Sequence, residues 1–386
     1  MLAERWLILG VLFLARTAMG FQFQSVATLS SSLIADLAID YTQLGLLIGS
    51  YLLPGIFIAY PGGLFGQRFG DKRVAIAGLA LMTVGGLLTG TSQAYATFLV
   101  GRLIGGIGAV LLNVLLTKMA TDWFVGREIG TALALLVSSW PIGIGIALVV
   151  LPWLAATVAV AAAFLATAVV AALVLLLVAA VYRVPAAAAA IKQPAGRSGF
   201  GLSLREFSLV SLAGIVWALF NVGYIIVVSF TPSLLIAQGL SAAEAAIATS
   251  LASWTLIPTI ALGGMLLDRM GHATALITTS LAALGLGIML MPSASSFALI
   301  ACIGAISGLP AGAVVALPAE VLHPQSRAPG MGIFFTWYYA GMALLTPVAG
   351  LVRDLTGGPG APLIFAGSLE LAAIAALGLL RWLQHR

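Results

Sequence analysis

Residues 63–73 of this 386-residue chain read GLFGQRFGDKR, and residues 264–272 read GMLLDRMGH. The two stretches begin 201 residues apart, and each follows a long apolar segment. The glycines in both allow helices to approach closely, and the polar residues between them suit a short loop at a helix end. The chain therefore contains an internal repeat whose period is about half its length.

The composition around these stretches is that of a membrane protein. Hydrophobic residues make up 61% of the chain and charged residues 8%, whereas soluble domains carry about a quarter charged residues. This balance excludes a soluble domain, a disordered chain, a secreted disulfide scaffold and a nucleic-acid-binding domain. We predict an all-α polytopic membrane protein with twelve transmembrane helices of about 20 residues or more. These spans 1–12 are residues 7–33, 43–66, 74–93, 96–118, 129–151, 156–182, 208–235, 244–267, 273–292, 296–318, 329–351 and 361–382.

One polar stretch divides the twelve spans into two groups of six. Residues 183–206 are rich in Pro, Gly and Ala and carry four basic residues, which is typical of a linker. We predict an N-terminal six-helix bundle over residues 1–182, a cytoplasmic linker over 183–206 and a C-terminal six-helix bundle over 207–386. The repeat predicts that the two bundles are pseudo-symmetric.

The basic residues predict how the chain sits in the membrane. Lys and Arg concentrate in cytoplasmic loops of membrane proteins. If both termini are cytoplasmic, the outer loops hold a single basic residue, Arg353. The cytoplasmic side then holds fourteen: Arg5, Arg68, Lys72, Arg73, Lys118, Arg127, Arg183, Lys192, Arg197, Arg205, Arg269, Arg327, Arg381 and Arg386. The net charge of +5 therefore reflects topology rather than an anionic macromolecular partner.

The two repeated stretches resemble the signature loop of the major facilitator superfamily, Gly-x-Leu-Ala-Asp-Arg-x-Gly-Arg-Lys/Arg. Residues 102–108 (RLIGGIG) are similar to the Arg-x-x-x-Gly-x-Gly pattern of its fourth span. The resemblance implies two bundles that rock about a midplane site to give alternating access. Gln67 departs from the usual Asp, so a charge switch is expected only at Asp268. The implied gating and signature residues are Gly63, Gln67, Arg68, Gly70, Arg102, Asp268, Arg269 and Gly271.

A finer resemblance favours a small anion as the substrate. Residues 21–24 (FQFQ), 118–124 (KMATDWF) and 138–143 (SSWPIG) look like the cyanate-permease-like branch, which is related to small-anion porters such as the nitrate/nitrite group. Residues 139–145 (SWPIGIG) lack the Gly before Pro and the closing Gly pair of efflux antiporters.

Three ionisable groups lie well inside the spans, where each costs about 2.5–3.5 kcal/mol. Arg16 is near the midplane, and its planar cation suits a carboxylate; an Arg satisfied between helices is the alternative. Arg102 has no deep acidic partner in spans 1 or 5, which favours structural gating over a proton relay. Glu370 lies in the peripheral span 12, which favours a protonated, helix-bonded Glu over a proton carrier.

Polar and aromatic residues of the spans complete the candidate substrate site. Asn221 and Tyr224 share one helix face. The predicted substrate-binding residues are Arg16, Gln22, Gln24, Tyr51, Asn113, Trp140, Asn221, Tyr224, Trp254, Tyr338 and Tyr339. We predict a secondary active or facilitative transporter of a small anion that works by rocker-switch alternating access. The alternative is an exporter of amphipathic neutral or cationic compounds, which requires an acidic group in the cavity.

Other classes of function lack a sequence signal. No His/Asp/Glu cluster, metal motif or nucleotide-binding loop is visible, so we expect no enzyme activity, no catalytic or metal-binding residue and no cofactor. The expected partners are a small anionic substrate and the lipid bilayer, without nucleic acid. We expect a monomer in the inner membrane of a bacterium, with an uncleaved first helix.

Overall fold

The computed structural model describes residues 2–124, 128–185, 202–323 and 326–385. Twelve helical segments of this part are long and apolar enough to cross a membrane, which confirms the predicted fold class of an integral membrane protein. The helices are Leu2–Thr28, Ser30–Leu37, Tyr41–Ser50, Gly55–Phe69, Asp71–Thr91, Tyr95–Phe124, Ile129–Thr157, Val160–Val181, Leu204–Ala237, Ala242–Met270, Ala273–Ala294, Phe297–Gly308, Ala311–Val321, Arg327–Thr356 and Ala361–Gln384.

The twelve segments keep the numbers of the predicted spans. They are Glu4–Thr28, Tyr41–Ala59, Asp71–Thr91, Tyr95–Phe124, Thr131–Thr157, Val160–Val181, Leu204–Ala237, Ala242–Arg269, Ala273–Ala294, Phe297–Val321, Pro329–Thr356 and Ala361–Gln384. Residues 186–201 of the predicted linker lie outside the described residues, as do Arg127, Lys192, Arg197, Arg386 and the side chain of Arg327.

Two spans are each built from two helices that meet at a proline. In span 2, Pro54 directly precedes the helix Gly55–Phe69. In span 10, Pro310 directly precedes the helix Ala311–Val321. Proline has no backbone N–H to donate, so it interrupts a helix but is accepted where a new one starts. Residues beside both breaks reach the central cavity described below.

Span 7 begins at Leu204, four residues before its predicted start. The Ser203 side chain accepts a hydrogen bond from the Glu206 N–H, and the Glu206 side chain accepts one from the Ser203 N–H. This capping box extends the helix into the stretch predicted as linker. Glu206 Oε1 also accepts from the backbone N–H of His323 at 3.2 Å, which ties span 7 to the end of span 10.

The first six spans and the last six meet along two seams. Span 2 packs against span 11, and span 5 packs against span 8. A Cβ atom at Gly350 would lie 1.9 Å from the carbonyl oxygen of Tyr41, and one at Gly45 would lie 2.6 Å from that of Thr346. Only glycine permits so close an approach. Spans 2 and 11 therefore touch backbone to backbone.

The two halves are hydrogen-bonded on one side of the membrane. We call the side with both chain ends the terminal face and the opposite side the distal face. At the distal face, Asp354 of span 11 accepts from the backbone N–H groups of Tyr41 and Thr42 at 3.1 and 2.7 Å, and from the Thr42 hydroxyl at 2.6 Å. The guanidinium of Arg353 lies 4.7 Å from the centre of the Tyr41 ring. Asp354 thus caps the helix of span 2 from the other half of the molecule.

Candidate functional site

A cavity of about 160 Å³ lies between the two halves. Its described lining comes from spans 1, 2, 4 and 5 on one side and from spans 7, 8, 10 and 11 on the other. Seven of the eleven predicted substrate-binding residues line it: Arg16, Asn113, Trp140, Asn221, Tyr224, Tyr338 and Tyr339. The structure therefore brings residues that are more than 300 positions apart in the chain to one chamber.

Arg16 supplies the only charged side chain among the described residues of the lining. Its Nε is buried without a hydrogen-bond partner, and the ion pairs formed by described residues involve other cations. The phenols of Tyr338 and Tyr339 are close enough to interact with it electrostatically. A buried cation without a counter-ion is costly, and a bound anion removes that cost. The cavity is therefore chemically suited to an anion.

Trp217 adds a second donor that the sequence analysis missed. It lines the cavity from span 7, and its indole Nε1 is buried without a hydrogen-bond partner. An indole N–H can only donate, so it also favours an acceptor in the chamber. The signal was present in the sequence, because Trp217 lies four and seven positions before Asn221 and Tyr224 and shares their helix face.

The neutral polar side chains of the cavity already make protein contacts. Asn113 Nδ2 donates to Tyr339 Oη at 3.1 Å, which joins span 4 to span 11 across the cavity. Tyr224 Oη and Ser253 Oγ are hydrogen-bonded at 3.0 Å. Asn221 Nδ2 donates to the carbonyl of Trp217 at 2.8 Å. These bonds hold the walls in place and leave few free polar groups for a substrate rich in hydroxyls.

Aromatic rings form the wall contributed by the last six spans. The ring centre of Trp217 lies 5.8 Å from that of Phe220 and 6.1 Å from that of Tyr338. Tyr338 also meets Phe335 edge-on, with centres 6.5 Å apart, and Tyr339, with centres 5.0 Å apart. Such clusters hold their rings in fixed, offset or edge-to-face orientations. The cavity therefore has a rigid aromatic side opposite the half that carries Arg16.

This architecture is that of a known family of membrane proteins. The family model described as the Major Facilitator Superfamily matches residues 12–346 and 222–385. The chain belongs to the Major Facilitator Superfamily. Members of this family are membrane transporters rather than enzymes. Among solved structures, the inward-open xylose transporter XylE from E. coli is similar over 97% of this chain and 96% of its own, with a TM-score of 0.80. At 15% identity that likeness concerns the fold alone.

Three relatives match shorter stretches of the chain. The 3-(3-hydroxy-phenyl)propionate transporter of Escherichia coli (strain K12) is 30% identical over 147 residues, 36% of this chain and 35% of that protein. The lysosomal dipeptide transporter MFSD1 of Mus musculus is 26% identical over 161 residues, 40% and 34% of the two chains. "Probable nitrate transporter NarT" of Staphylococcus haemolyticus (strain JCSC1435) is 30% identical over 104 residues, 27% of each. The matched stretches thus span about a third or less of these relatives' lengths.

Arg102, predicted as a gating residue of the superfamily, is bonded within the first six spans. Its Nε donates to Leu47 O at 3.0 Å, Nη1 to Gln22 O at 2.9 Å and Nη2 to Phe23 O at 3.1 Å. Its guanidinium carbon lies 4.4 Å from the centre of the Tyr51 ring. Arg102 therefore ties span 4 to spans 1 and 2, a geometry that favours a structural role over a proton relay.

Gln22 and Tyr51 belong to this structural network and are absent from the described lining of the cavity. Tyr51 Oη donates to Gln22 Oε1 at 3.0 Å, and Gln22 Nε2 donates to Met82 O at 2.9 Å. Because these contacts engage both side chains in packing between spans, we leave Gln22 and Tyr51 out of the proposed site.

Gln24 and Trp254 also lie away from the described lining. Gln24 Nε2 donates to Val228 O on span 7 at 3.0 Å, so it joins the two halves on the distal side of Arg16. Trp254 of span 8 packs over span 5, where a Cβ atom at Gly145 would lie 2.9 Å from its ring. Both are contacts between the halves, and neither is kept in the proposed site.

The repeated signature loops lie at the terminal face. Gly70 and Gly271 end helices with φ of +89° and +65°, values that favour glycine. Arg68, Asp268 and Arg269 are exposed. Gly63 and Gln67 belong to the helix Gly55–Phe69, and the side chain of Gln67 lies outside the described residues.

Asp71, where the helix Asp71–Thr91 begins, supplies a carboxylate at the first signature loop. The sequence analysis gave this residue no role. It forms an ion pair with Lys118 of span 4, which also lies 3.5 Å from Asp122. The pairing could not be read from the loop alone, because it depends on how spans 3 and 4 are placed.

Glu370 lies outside the cavity lining, between spans 7 and 12. It is 1% exposed, and its Oε2 is buried without a hydrogen-bond partner among the described residues. A Cβ atom at Gly223 would lie 2.1 Å from Glu370 Oε1, so a glycine makes room for the carboxyl group. The expected bond to the helix is not seen at Oε2, and a neutral, protonated Glu370 stays a prediction.

Proposed function

We propose that this transporter moves small anions, by secondary active or facilitative transport, with Arg16 as the anion-binding group. The observation that carries the proposal is the unpaired guanidinium of Arg16 in a cavity whose described lining holds no Asp or Glu. An anion bound there forms charge-assisted hydrogen bonds with the planar guanidinium. Arg does not deprotonate in proteins, so the cavity stays cationic when it is empty.

We further propose that the two halves rock about this cavity as bundles of residues 1–182 and 207–386. The hydrogen bonds that join the halves among described residues lie at the cavity or on its distal side. In this proposal the described state is closed distally, and transport breaks the Asp354 contacts while the cavity closes towards the terminal face. The basic residues favour a cytoplasmic terminal face. A monomer in a bacterial inner membrane is part of the same proposal.

The names of two relatives support an anionic substrate. Both 3-(3-hydroxy-phenyl)propionate and nitrate are anions at neutral pH, and the proteins named for them match this chain at 30% identity. Membership of the cyanate-permease-like branch is part of the same proposal. The rival function, export of amphipathic neutral or cationic compounds, predicts an acidic group in the cavity. The described lining offers none, so we do not favour it.

The test is thermal stabilisation of the purified protein by a panel of small anions, neutral sugars and amphipathic cations. A ligand at a hundred times its Kd adds about 2.7 kcal/mol to the stability of the native state. We expect anions alone to raise Tm, Arg16→Gln to abolish the rise, and Arg16→Lys to retain part of it. Arg183→Gln, which removes an exposed charge at the terminal face, is the matched control and should respond like the wild type. Stabilisation by cations that persists in Arg16→Gln would reject the proposal.

A further inference from the structure

We infer that the substrate is a single-ring monocarboxylate, held by its carboxylate at Arg16 and by its ring against the aromatic wall of the last six spans. This inference rests on the proposed function, because it requires that Arg16 bind an anion. It goes further by stating the charge, size and shape of that anion.

The charge of the site limits the substrate to one negative charge. Arg16 is the single cation of the described lining, and Trp217 Nε1 is the other unpartnered buried donor there. A dicarboxylate would bring a second charge into a chamber with nothing to balance it, and an unpaired charge in an apolar surrounding is strongly disfavoured. One carboxylate with two acceptor oxygens matches a guanidinium together with one indole N–H.

The walls require an apolar body on the substrate. Seven of the twenty-one lining residues are aromatic, whereas aromatic residues make up 9% of the chain. Apart from the aromatic residues, the described lining has three neutral polar side chains: Asn113, Asn221 and Ser307. An inorganic anion such as nitrate would leave the aromatic wall in contact with water, which needs two to four polar partners to be held in a cavity. A ring covers that wall, and burial of the two apolar surfaces against each other stabilises the complex.

The size of the cavity matches one ring with a short side chain. Its volume is about 160 Å³. An engineered protein cavity of about 150 Å³ lined by apolar side chains binds benzene, which sets the scale for a single ring. Acetate leaves most of this volume unfilled.

The substrate also bridges the two halves of the molecule. Arg16 belongs to span 1, whereas Trp217 and Tyr338 belong to spans 7 and 11. A ring acid therefore contacts a charge in one half and rings in the other. Acetate and nitrate offer no ring, so they reach the second half only through the Trp217 N–H and leave its aromatic wall uncovered.

The test is isothermal titration of the purified full-length protein with nitrate, acetate, benzoate, 3-phenylpropionate, phthalate and benzyl alcohol. We expect one or both ring monocarboxylates to bind at least tenfold more tightly than nitrate, acetate and phthalate, and benzyl alcohol to give no heat. Trp217→Phe keeps a ring but removes the N–H, and Trp217→Leu removes both. We expect benzoate affinity to fall severalfold in Trp217→Phe and more than tenfold in Trp217→Leu. Nitrate has no ring to pack, so its affinity should be about the same in the two variants.

Trp153→Leu is the control, because Trp153 is 61% exposed on span 5 and lies outside the described lining. It should bind benzoate like the wild type. Size-exclusion profiles and Tm establish that each variant is folded, and Trp217→Phe tests the donor if Trp217→Leu is lost. Nitrate or acetate binding as tightly as the tighter of the two ring monocarboxylates overturns the inference and leaves the anion proposal intact. Binding of benzyl alcohol without any anion overturns both, and so does the failure of every anion to bind.

Discussion

Arg16 and Arg102 lie in the same half of the molecule, both inside membrane spans, and in opposite surroundings. Arg102 donates three hydrogen bonds to backbone carbonyls and stacks on Tyr51. Arg16 faces the cavity, and its Nε is buried without a hydrogen-bond partner among the described residues. The residue type is the same, and burial differs only in degree: Arg102 is 2% exposed, and Arg16 is half-buried at the cavity. What differs is whether the protein itself satisfies the guanidinium, and an unsatisfied one identifies a group that awaits a ligand.

The largest effect expected from this comparison concerns Arg102. Arg102→Met removes three buried hydrogen bonds from a charged donor, of whose acceptors Gln22 O keeps a second donor in Ser25 Oγ. We therefore expect the free energy of unfolding to fall by about 3 kcal/mol or more. Unfolding in detergent, followed by circular dichroism, measures the loss. Arg102→Lys provides the control, since it keeps the charge and some of the donors and should recover part of the stability. A variant Arg102→Met as stable as the wild type would refute the structural role.

Arg16 should respond in the opposite direction. Arg16→Met removes a buried charge that has no counter-ion, so we expect the ligand-free protein to gain about 2 kcal/mol of stability. The same variant should lose stabilisation by anions, which separates function from folding. The experiment is a melting curve in a buffer whose anion does not bind. A loss of stability like that of Arg102→Met would show that Arg16 is part of the scaffold.

The distal seam offers the next test, because it decides which side of the cavity is closed. Asp354→Asn weakens the charged cap on the first turn of span 2, so the distally open state should gain about 1–2 kcal/mol. Its population should then rise by about five- to thirtyfold. Spin labels at Ala35→Cys and Ala243→Cys, in a Cys302→Ser background, report the change as longer electron–electron distances.

Asp36→Asn is the matched control for that measurement. Asp36 is exposed near the same face, and the hydrogen bonds between the halves do not involve it. It should leave the distance distribution unchanged. Equal distributions for Asp354→Asn and the wild type would mean that the Asp354 contacts do not hold the distal side closed.

The smallest effect is expected at Glu370, the third buried ionisable group. Its Oε2, like the Nε of Arg16, is buried without a hydrogen-bond partner among the described residues, but it lies outside the described cavity lining. If it is neutral, Glu370→Gln exchanges one uncharged polar group for another of the same shape, and stability should change by less than about 1 kcal/mol. Transport and its dependence on pH should also be unchanged in proteoliposomes. Loss of the pH dependence would instead identify Glu370 as a proton carrier.

Much of the fold could be predicted because it depends on local composition. An apolar segment of this length has few structural alternatives to a transmembrane helix. The two signature loops reveal the internal repeat. The helix boundaries were harder to predict, since the capping box at Ser203 and the breaks at Pro54 and Pro310 move them by several residues. These details depend on single hydrogen bonds rather than on average hydropathy.

The candidate site could be predicted only in part, because a sequence does not give the rotation of each helix about its axis. At about 100° per residue, Gln22 points about 120° away from Arg16, which takes it into the scaffold rather than the cavity. Trp217, by contrast, shares the face of Asn221 and Tyr224 and lines the cavity. Helical phase relative to Arg16 therefore separates some of these residues, but the contacts of Trp254 depend on the neighbouring span and could not be inferred.

The central claim is that Arg16 binds an anion that the protein carries across the membrane. The most direct test is anion exchange in proteoliposomes, with labelled benzoate and labelled nitrate outside vesicles that are preloaded with the same unlabelled anion. We predict exchange by the wild type and by Arg183→Gln, and none by Arg16→Gln at equal reconstituted amounts. Exchange by Arg16→Gln at the wild-type rate would contradict the account.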